Sequence, residues 1–90
     1  MDNFELMRGV ISSKNFTKGE KLFLLYVLTY SLRIVTCSEK EIAERLNLKS
    51  DRQVINILNG LHARKIVHYH YRRNKYRMIT LNSEELEKAL

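Results

Sequence analysis

The sequence predicts a mainly helical α+β domain: a three-helix core, then a β-hairpin, then a short C-terminal helix. Three observations carry this reading. Thr17 and Glu20, Ser38 and Glu41, and Ser50 and Gln53 each place Ser or Thr three residues ahead of Glu or Gln, the pattern of a reciprocal cap at a helix start. Apolar residues recur at helical spacing behind each pair. Residues 67–81 then change to strand-like composition on both sides of Asn74, V-H-Y-H-Y-R before it and Y-R-M-I-T-L after, which reads as a hairpin.

The opening 1–16 reads as an N-terminal arm or a short strand through FELMRGVI. From Thr17 a helix is expected over about 18–33, with Leu22, Leu25, Tyr26, Leu28 and Leu32 at helical spacing. Phe23, Leu24 and Val27 widen that apolar surface, so this helix is expected to be the buried spine. Ile34, Val35 and Thr36 are β-branched and read as a short extended piece. The helix that Ser38 opens spans 39–46, with Ile42, Ala43 and Leu46 on its apolar side. Asn47-Leu48-Lys49 makes a tight turn, since Asn tolerates the left-handed backbone of a helix end. A third helix runs from Asp51 to about Arg64, turning Val54, Ile57, Leu58 and Leu61 inward. Ser83, with Glu84 and Glu85 in the first turn, is expected to cap a last helix whose Leu86 and Leu90 share a face. The domain proper is therefore 17–81, preceded by the arm and followed by a helix over 82–90.

Ninety residues make one small domain. A formal charge of +6 arises from 16 Lys and Arg against 10 acids, and its location matters more than its size. Residues 62–77 hold Arg64, Lys65, Arg72, Arg73, Lys75 and Arg77 with no acid, whereas the first 61 residues carry nine basic and seven acidic groups. That stretch matches the whole surplus and suits a polyanionic partner. Cys37 is alone, which excludes an intrachain disulfide and fits a reducing, cytoplasmic setting. The start MDNFELMRGV lacks the basic-then-apolar design of a signal peptide. The apolar run LFLLYVL at 22–28 is far shorter than a membrane span.

The stretch SEKEIAERLNLKSDRQVINILNGLHARKIV resembles the helix-turn-helix core of winged-helix DNA-binding proteins. The likeness rests on E-I-A-E-R-L as second helix, N-L-K-S as turn, and a long third helix ending in L-x-x-x-K-I-V. The basic hairpin stands where that family has its wing. FTKGEKLFLLYVL is similar to the first helix of such domains in plasmid and phage replication proteins, more than to that of small bacterial regulators. The resemblance covers about 17–81. It implies that the third helix enters the major groove, with Ser50, Arg52, Gln53 and Asn56 near base edges and Lys49 and Asn59 near phosphates. It also implies backbone or minor-groove contacts from Arg64, Lys65, Arg72, Arg73, Lys75 and Arg77. Asp51, beside the base-contacting turn, would repel phosphate while favouring the helix start.

Tyr69, Tyr71 and Tyr76 interleave with the basic residues. Alternation puts Val67, Tyr69 and Tyr71 on one face and His68, His70 and Arg72 on the other. The tyrosines therefore either pack the hairpin onto the core or stack on bases of a single strand. Metal binding is not expected: His68 and His70 are the only pair with suggestive spacing, among repelling cations, with His62 and Cys37 elsewhere. No catalytic constellation is present, so no enzyme, cofactor or small-molecule substrate is expected. The expected function is DNA binding in transcription regulation or in replication of a mobile element. The alternatives are a single-strand-binding replication accessory and a protein-interaction module, and a homodimer is compatible with each. A membrane-surface role is disfavoured because the basic residues read as a hairpin, not an amphipathic helix.

Overall fold

Asp2 is the first residue to act as a cap. In the computed structural model, which describes residues 2–71 and 76–90 (backbone only at 71 and 76), its carboxylate accepts the Glu5 N–H at 2.8 Å and starts α1, Asn3–Ser12. The arm or strand expected over 1–16 is thus largely a helix. Leu6 and Val10, four residues apart, are fully buried, with Met7 packed against the core beside them, so the apolar residues of this segment follow the helical period and not strand alternation.

At Thr17 the reciprocal cap forms as expected. Its hydroxyl accepts the Glu20 N–H at 3.2 Å, and the Glu20 carboxylate accepts the Thr17 N–H at 2.9 Å. The helix that follows, α2, covers Lys18–Leu28 and stops short of residue 33. Thr29 turns its hydroxyl back onto the Tyr26 carbonyl at 2.6 Å, Tyr30 N–H bonds the Val27 carbonyl, and Arg33 takes a left-handed φ of 56°. The helix buries Phe23, Leu24, Val27 and Leu28. Two residues assigned to its spine lie elsewhere: Leu22 is 45% and Leu32 80% exposed. Ending the helix at Leu28 removes Leu32 from the stripe, and Leu22 falls on the opposite side from the Phe23–Val27 face.

Strand β1, Ile34–Ser38, leads without a loop into α3, Glu39–Arg45. Ser38 closes the strand and caps the helix, accepting the Glu41 N–H at 3.2 Å. Glu41 does not complete the box on the backbone; its carboxylate approaches the Ser38 hydroxyl at 3.5 Å. Asn47 then adopts φ 56° and Leu48 N–H reaches back to the Ala43 carbonyl at 2.8 Å, which turns the chain into α4, Asp51–Ala63. The third capping pair differs from expectation. Ser50 makes no side-chain cap bond; Gln53 instead accepts the Lys49 N–H at 2.8 Å. At the far end Lys65 takes φ 62° and Ile66 N–H bonds the Leu61 carbonyl at 3.0 Å, a left-handed stop built without glycine.

Strands β2, Val67–Tyr71, and β3, Tyr76–Leu81, form the expected hairpin flanks. All pairing is antiparallel, in the order β1-β3-β2, with Val35 and Tyr69 both opposite Ile79, and Cys37 and Tyr71 both opposite Arg77. The final helix α5, Ser83–Ala89, is capped one residue earlier than expected: Asn82 accepts the Glu85 N–H at 3.3 Å. The sheet turns Val35, Cys37, Val67, Ile79 and Leu81 into a core shared with α1, α2 and α4. Arg33 draws three elements together: its guanidinium donates to Asn3 Oδ1 of α1 and to Ser83 Oγ of α5, and its backbone carbonyl accepts the Leu81 N–H of β3 at 3.0 Å. The result is a small α+β domain, mainly helical. Among the described residues, no helix is long and apolar enough to cross a membrane.

Candidate nucleic-acid interface

Burial of Val54, Leu58 and Leu61 fixes the rotation of α4. At about 100° per residue, Arg52, Asn56, Asn59 and Ala63 then share the opposite stripe, and all four are exposed. Lys49, Ser50 and Gln53 are exposed at the start of the helix, and Arg64 and Lys65 at its end. The described outer residues of β2, His68 and His70, are exposed too. From residue 49 to residue 70 Asp51 is the only acid. The structure thus places Lys49, Ser50, Arg52, Gln53, Asn56, Asn59, Arg64 and Lys65, all exposed, along α4 and at its two ends.

Several of these side chains are already engaged. Gln53 spends its carbonyl oxygen on the Lys49 N–H. Asn59 accepts the Tyr69 hydroxyl at 2.6 Å, so its amide N–H groups remain as donors. Arg64 donates to the Asn15 carbonyl at 2.9 Å and lies over the Phe16 ring at 4.4 Å. Asn56 lines a shallow cleft with Thr17, Glu20 and Ile57, where α4 meets the start of α2.

Arg77 departs from its expected place. It is 3% exposed, pairs with Glu39 at 2.5 Å, and stacks 4.7 Å above the Tyr69 ring. Period-two alternation puts residue 77 on the inner face with Ile79 and Leu81, so this guanidinium is turned away from any phosphate on the outer surface. Tyr69 packs between sheet and helix, its ring also 4.8 Å from that of His62. Of the two roles weighed for Tyr69, the geometry is that of packing. Tyr71 and Tyr76 sit in the ladder, with their side chains outside the described residues, as are Arg72, Arg73, Asn74 and Lys75.

Three residues without a place in the expected site prove to be part of its frame. Glu39 neutralises Arg77. His62 ties the end of α4 to β2 through Nδ1, 3.2 Å from the Val67 carbonyl, and through its ring, 5.9 Å from that of His68. Tyr26 accepts from Arg45 at 2.6 Å and meets the Tyr30 hydroxyl at 3.0 Å; burial, then the Tyr30 hydrogen bond, push its hydroxyl up to about 12. The spacing of Tyr26 and Tyr30 at i, i+4 was the available signal for the last of these. Cys37 is fully buried, and burial followed by the nearby Glu41 raises its thiol to about 11. Among the described residues no group of three or more His, Cys, Asp or Glu is placed to hold a metal ion.

No protein-family model, no curated protein and no solved structure matches the chain.

Proposed function

We propose that this chain is a winged helix-turn-helix protein that binds DNA without catalysing a reaction, with α4 as the recognition helix and the 67–81 hairpin as the wing. The observation that carries the proposal is the single edge formed by the outer stripe of α4 and the outer face of β2. There, Lys49, Ser50, Arg52, Asn56, Lys65, His68 and His70 are exposed; along 49–70 Asp51 is the only acid, and Glu20 of α2 borders the helix beside Asn56. The order α2, β1, α3, α4, β2, β3, with β3 between its neighbours, supports the same reading. By sequence, Arg72, Arg73 and Lys75 extend the edge into the hairpin tip. Arg77 is dropped from the contact set because it is buried. Affinity is assigned to Lys49, Arg52, Lys65 and the tip, and sequence preference to Arg52 and Asn56.

The packed Tyr69 weakens the single-strand alternative, which relies on free aromatic faces, so duplex DNA is the favoured partner. Regulation of transcription and replication of a mobile element are the two cellular roles that fit, both in the reducing compartment that a lone thiol suits. The test is fluorescence anisotropy with one oligonucleotide, single- and double-stranded, over a salt series. Log affinity should fall with log salt by about 0.7–0.9 per phosphate contact, with the duplex bound more tightly. Tighter binding of the single strand would favour the replication accessory, and affinity flat in salt would overturn the nucleic-acid reading.

A further inference from the structure

The outer stripe of α4 has two neighbours. On one flank stands β2, tied by the Tyr69 hydroxyl on Asn59 and by His62 at the Val67 carbonyl. On the other flank runs the segment that leads into α2. Thr17 and Glu20 meet Asn56 and Ile57 across the shallow cleft, and a Cβ on Gly19 would stand only 2.9 Å from Ile57 Cδ1. Eight residues beyond Asn56, Arg64 donates to the Asn15 carbonyl and covers the Phe16 ring. Residues 15–17 therefore border about 12 Å of the helix.

This border is fixed in place and basic. The Ser13 hydroxyl accepts the Asn15 N–H at 3.1 Å, and Asn15 Nδ2 donates to the Ala89 carbonyl of α5 at 2.7 Å. Phe16 is buried, and Thr17 is held by its reciprocal cap. Lys14 and Lys18 flank these residues, and both are exposed. Among the described residues no hydrogen bond or ion pair engages either, whereas Lys21 is spent on the Ile11 carbonyl. From residue 6 to residue 19 the chain holds no acid. Glu20, the acid that follows, commits one carboxylate oxygen to the Thr17 N–H.

We infer that Lys14 and Lys18 contact the DNA backbone on the side of the groove away from the hairpin, and that Arg64 holds their segment there. The inference rests on the proposed DNA reading and deepens it. A helix about 10–12 Å across, seated in a major groove about 12 Å wide, has a phosphate strand on each side. The hairpin stands on the flank of one strand, and the 14–18 segment is what the fold presents to the other. Contacts to both strands fix the register of α4 in the groove without reading bases. Arg64, already committed to Asn15 and Phe16, is a positioning residue for the two lysines.

Fluorescence anisotropy of the full chain on a duplex oligonucleotide, over a salt series, tests this. Lys14→Gln and Lys18→Gln should each weaken binding about fivefold at physiological salt and lower the slope of log affinity on log salt by about 0.9. The loss should be equal for all sequences, with thermal midpoints unchanged because both positions are exposed. Arg8→Gln, the same loss of charge at an exposed position of α1, should leave the slope unchanged. Arg64→Met should weaken binding in the wild type and add little once Lys14 and Lys18 are both Gln. A wild type whose affinity is flat in salt would overturn the DNA reading and this inference with it. A salt-dependent wild type whose slope falls in Lys49→Ala, but not in Lys14→Gln or Lys18→Gln, would overturn this inference alone. So would an equal fall in Arg8→Gln. An Arg64→Met effect that adds in full to the lysine changes would overturn the positioning role of Arg64.

Discussion

The Glu39 carboxylate, first residue of α3, holds the Arg77 guanidinium of β3 at 2.5 Å, and the far face of that guanidinium covers the Tyr69 ring. A cation from the most basic part of the chain thus belongs to the interior. Removing one partner of a buried ion pair strands the other charge, at a cost of about 3–5 kcal/mol. Glu39→Gln should fall toward the lower end of that range in urea unfolding, since the Glu39 side chain keeps 20% exposure. Arg77→Met, which removes the buried charge and retains the volume, should cost less than Glu39→Gln. It should also leave the salt dependence of DNA binding unchanged, whereas Lys49→Ala or Lys65→Ala should lower the slope by about one contact. A reduced slope in Arg77→Met would return this residue to the contact set.

Gln53 ties the turn before α4 to the helix by accepting the Lys49 N–H. Gln53→Ala should therefore cost about 1 kcal/mol of stability and weaken binding to all sequences alike. Gln53→Glu, which keeps the acceptor, should recover the stability. Loss of affinity for one site alone, with stability unchanged, would instead assign Gln53 to base reading.

Tyr69 joins β2 to α4 by its hydroxyl on Asn59. Tyr69→Phe should cost about 1 kcal/mol in thermal or urea unfolding. A double-mutant cycle with Asn59→Ala should show coupling of that order, because either change removes the same bond. Loss of single-strand affinity in Tyr69→Phe with stability intact would favour base stacking over packing.

Alkaline pH should destabilise the fold from two sites. Burial raises Cys37 from 9.0 to about 11 and Tyr26 from 10.0 to about 12. Below pH 9 both groups are protonated in either state, and their contribution is fully present. As pH rises from about 9 to 12 the unfolded chain ionises first, binds fewer protons, and gains relative to the fold. Stability should therefore drop across that window. Cys37→Ala should remove the lower part of the drop and Tyr26→Phe the upper. At pH 8 the native Cys37 thiol should resist alkylation until the protein unfolds.

The elements that were legible in the sequence are those with their own local chemistry. Thr17 with Glu20 announces α2, the Asn47 turn separates α3 from α4, and alternation around Asn74 places β2 and β3. Where tertiary contacts decide, the reading fails. For FELMRGVI a local signal existed as well, since Asp2 and Glu5 have the spacing of a cap and Leu6, Met7 and Val10 the helical period. Ser50 and Gln53 have the spacing of a reciprocal cap, but the φ of −155° at Ser50 accompanies a different bond. Most of the candidate edge on α4 was legible from the inward stripe of Val54, Leu58 and Leu61. The placement of Arg77 was not, because a charge count ignores which way a strand residue points. The alternation of Arg77, Ile79 and Leu81 held that information, and Glu39 gave no sign of its role until β1 and β3 were paired.

The position of β3 in the middle of the sheet has a consequence for synthesis. Val35 waits for Ile79, and Cys37 for Arg77, so the first strand has no partner while the helices between are being made. A nascent chain that stops before residue 76 can assemble α2, α3 and α4, yet leaves the inner face of β1 uncovered and Glu39 without its cation. The sheet closes in a late step, gated by the arrival of its central strand. Chains held on the ribosome by a C-terminal linker of increasing length should gain protease resistance abruptly, once the linker is long enough for Leu81 to clear the exit tunnel.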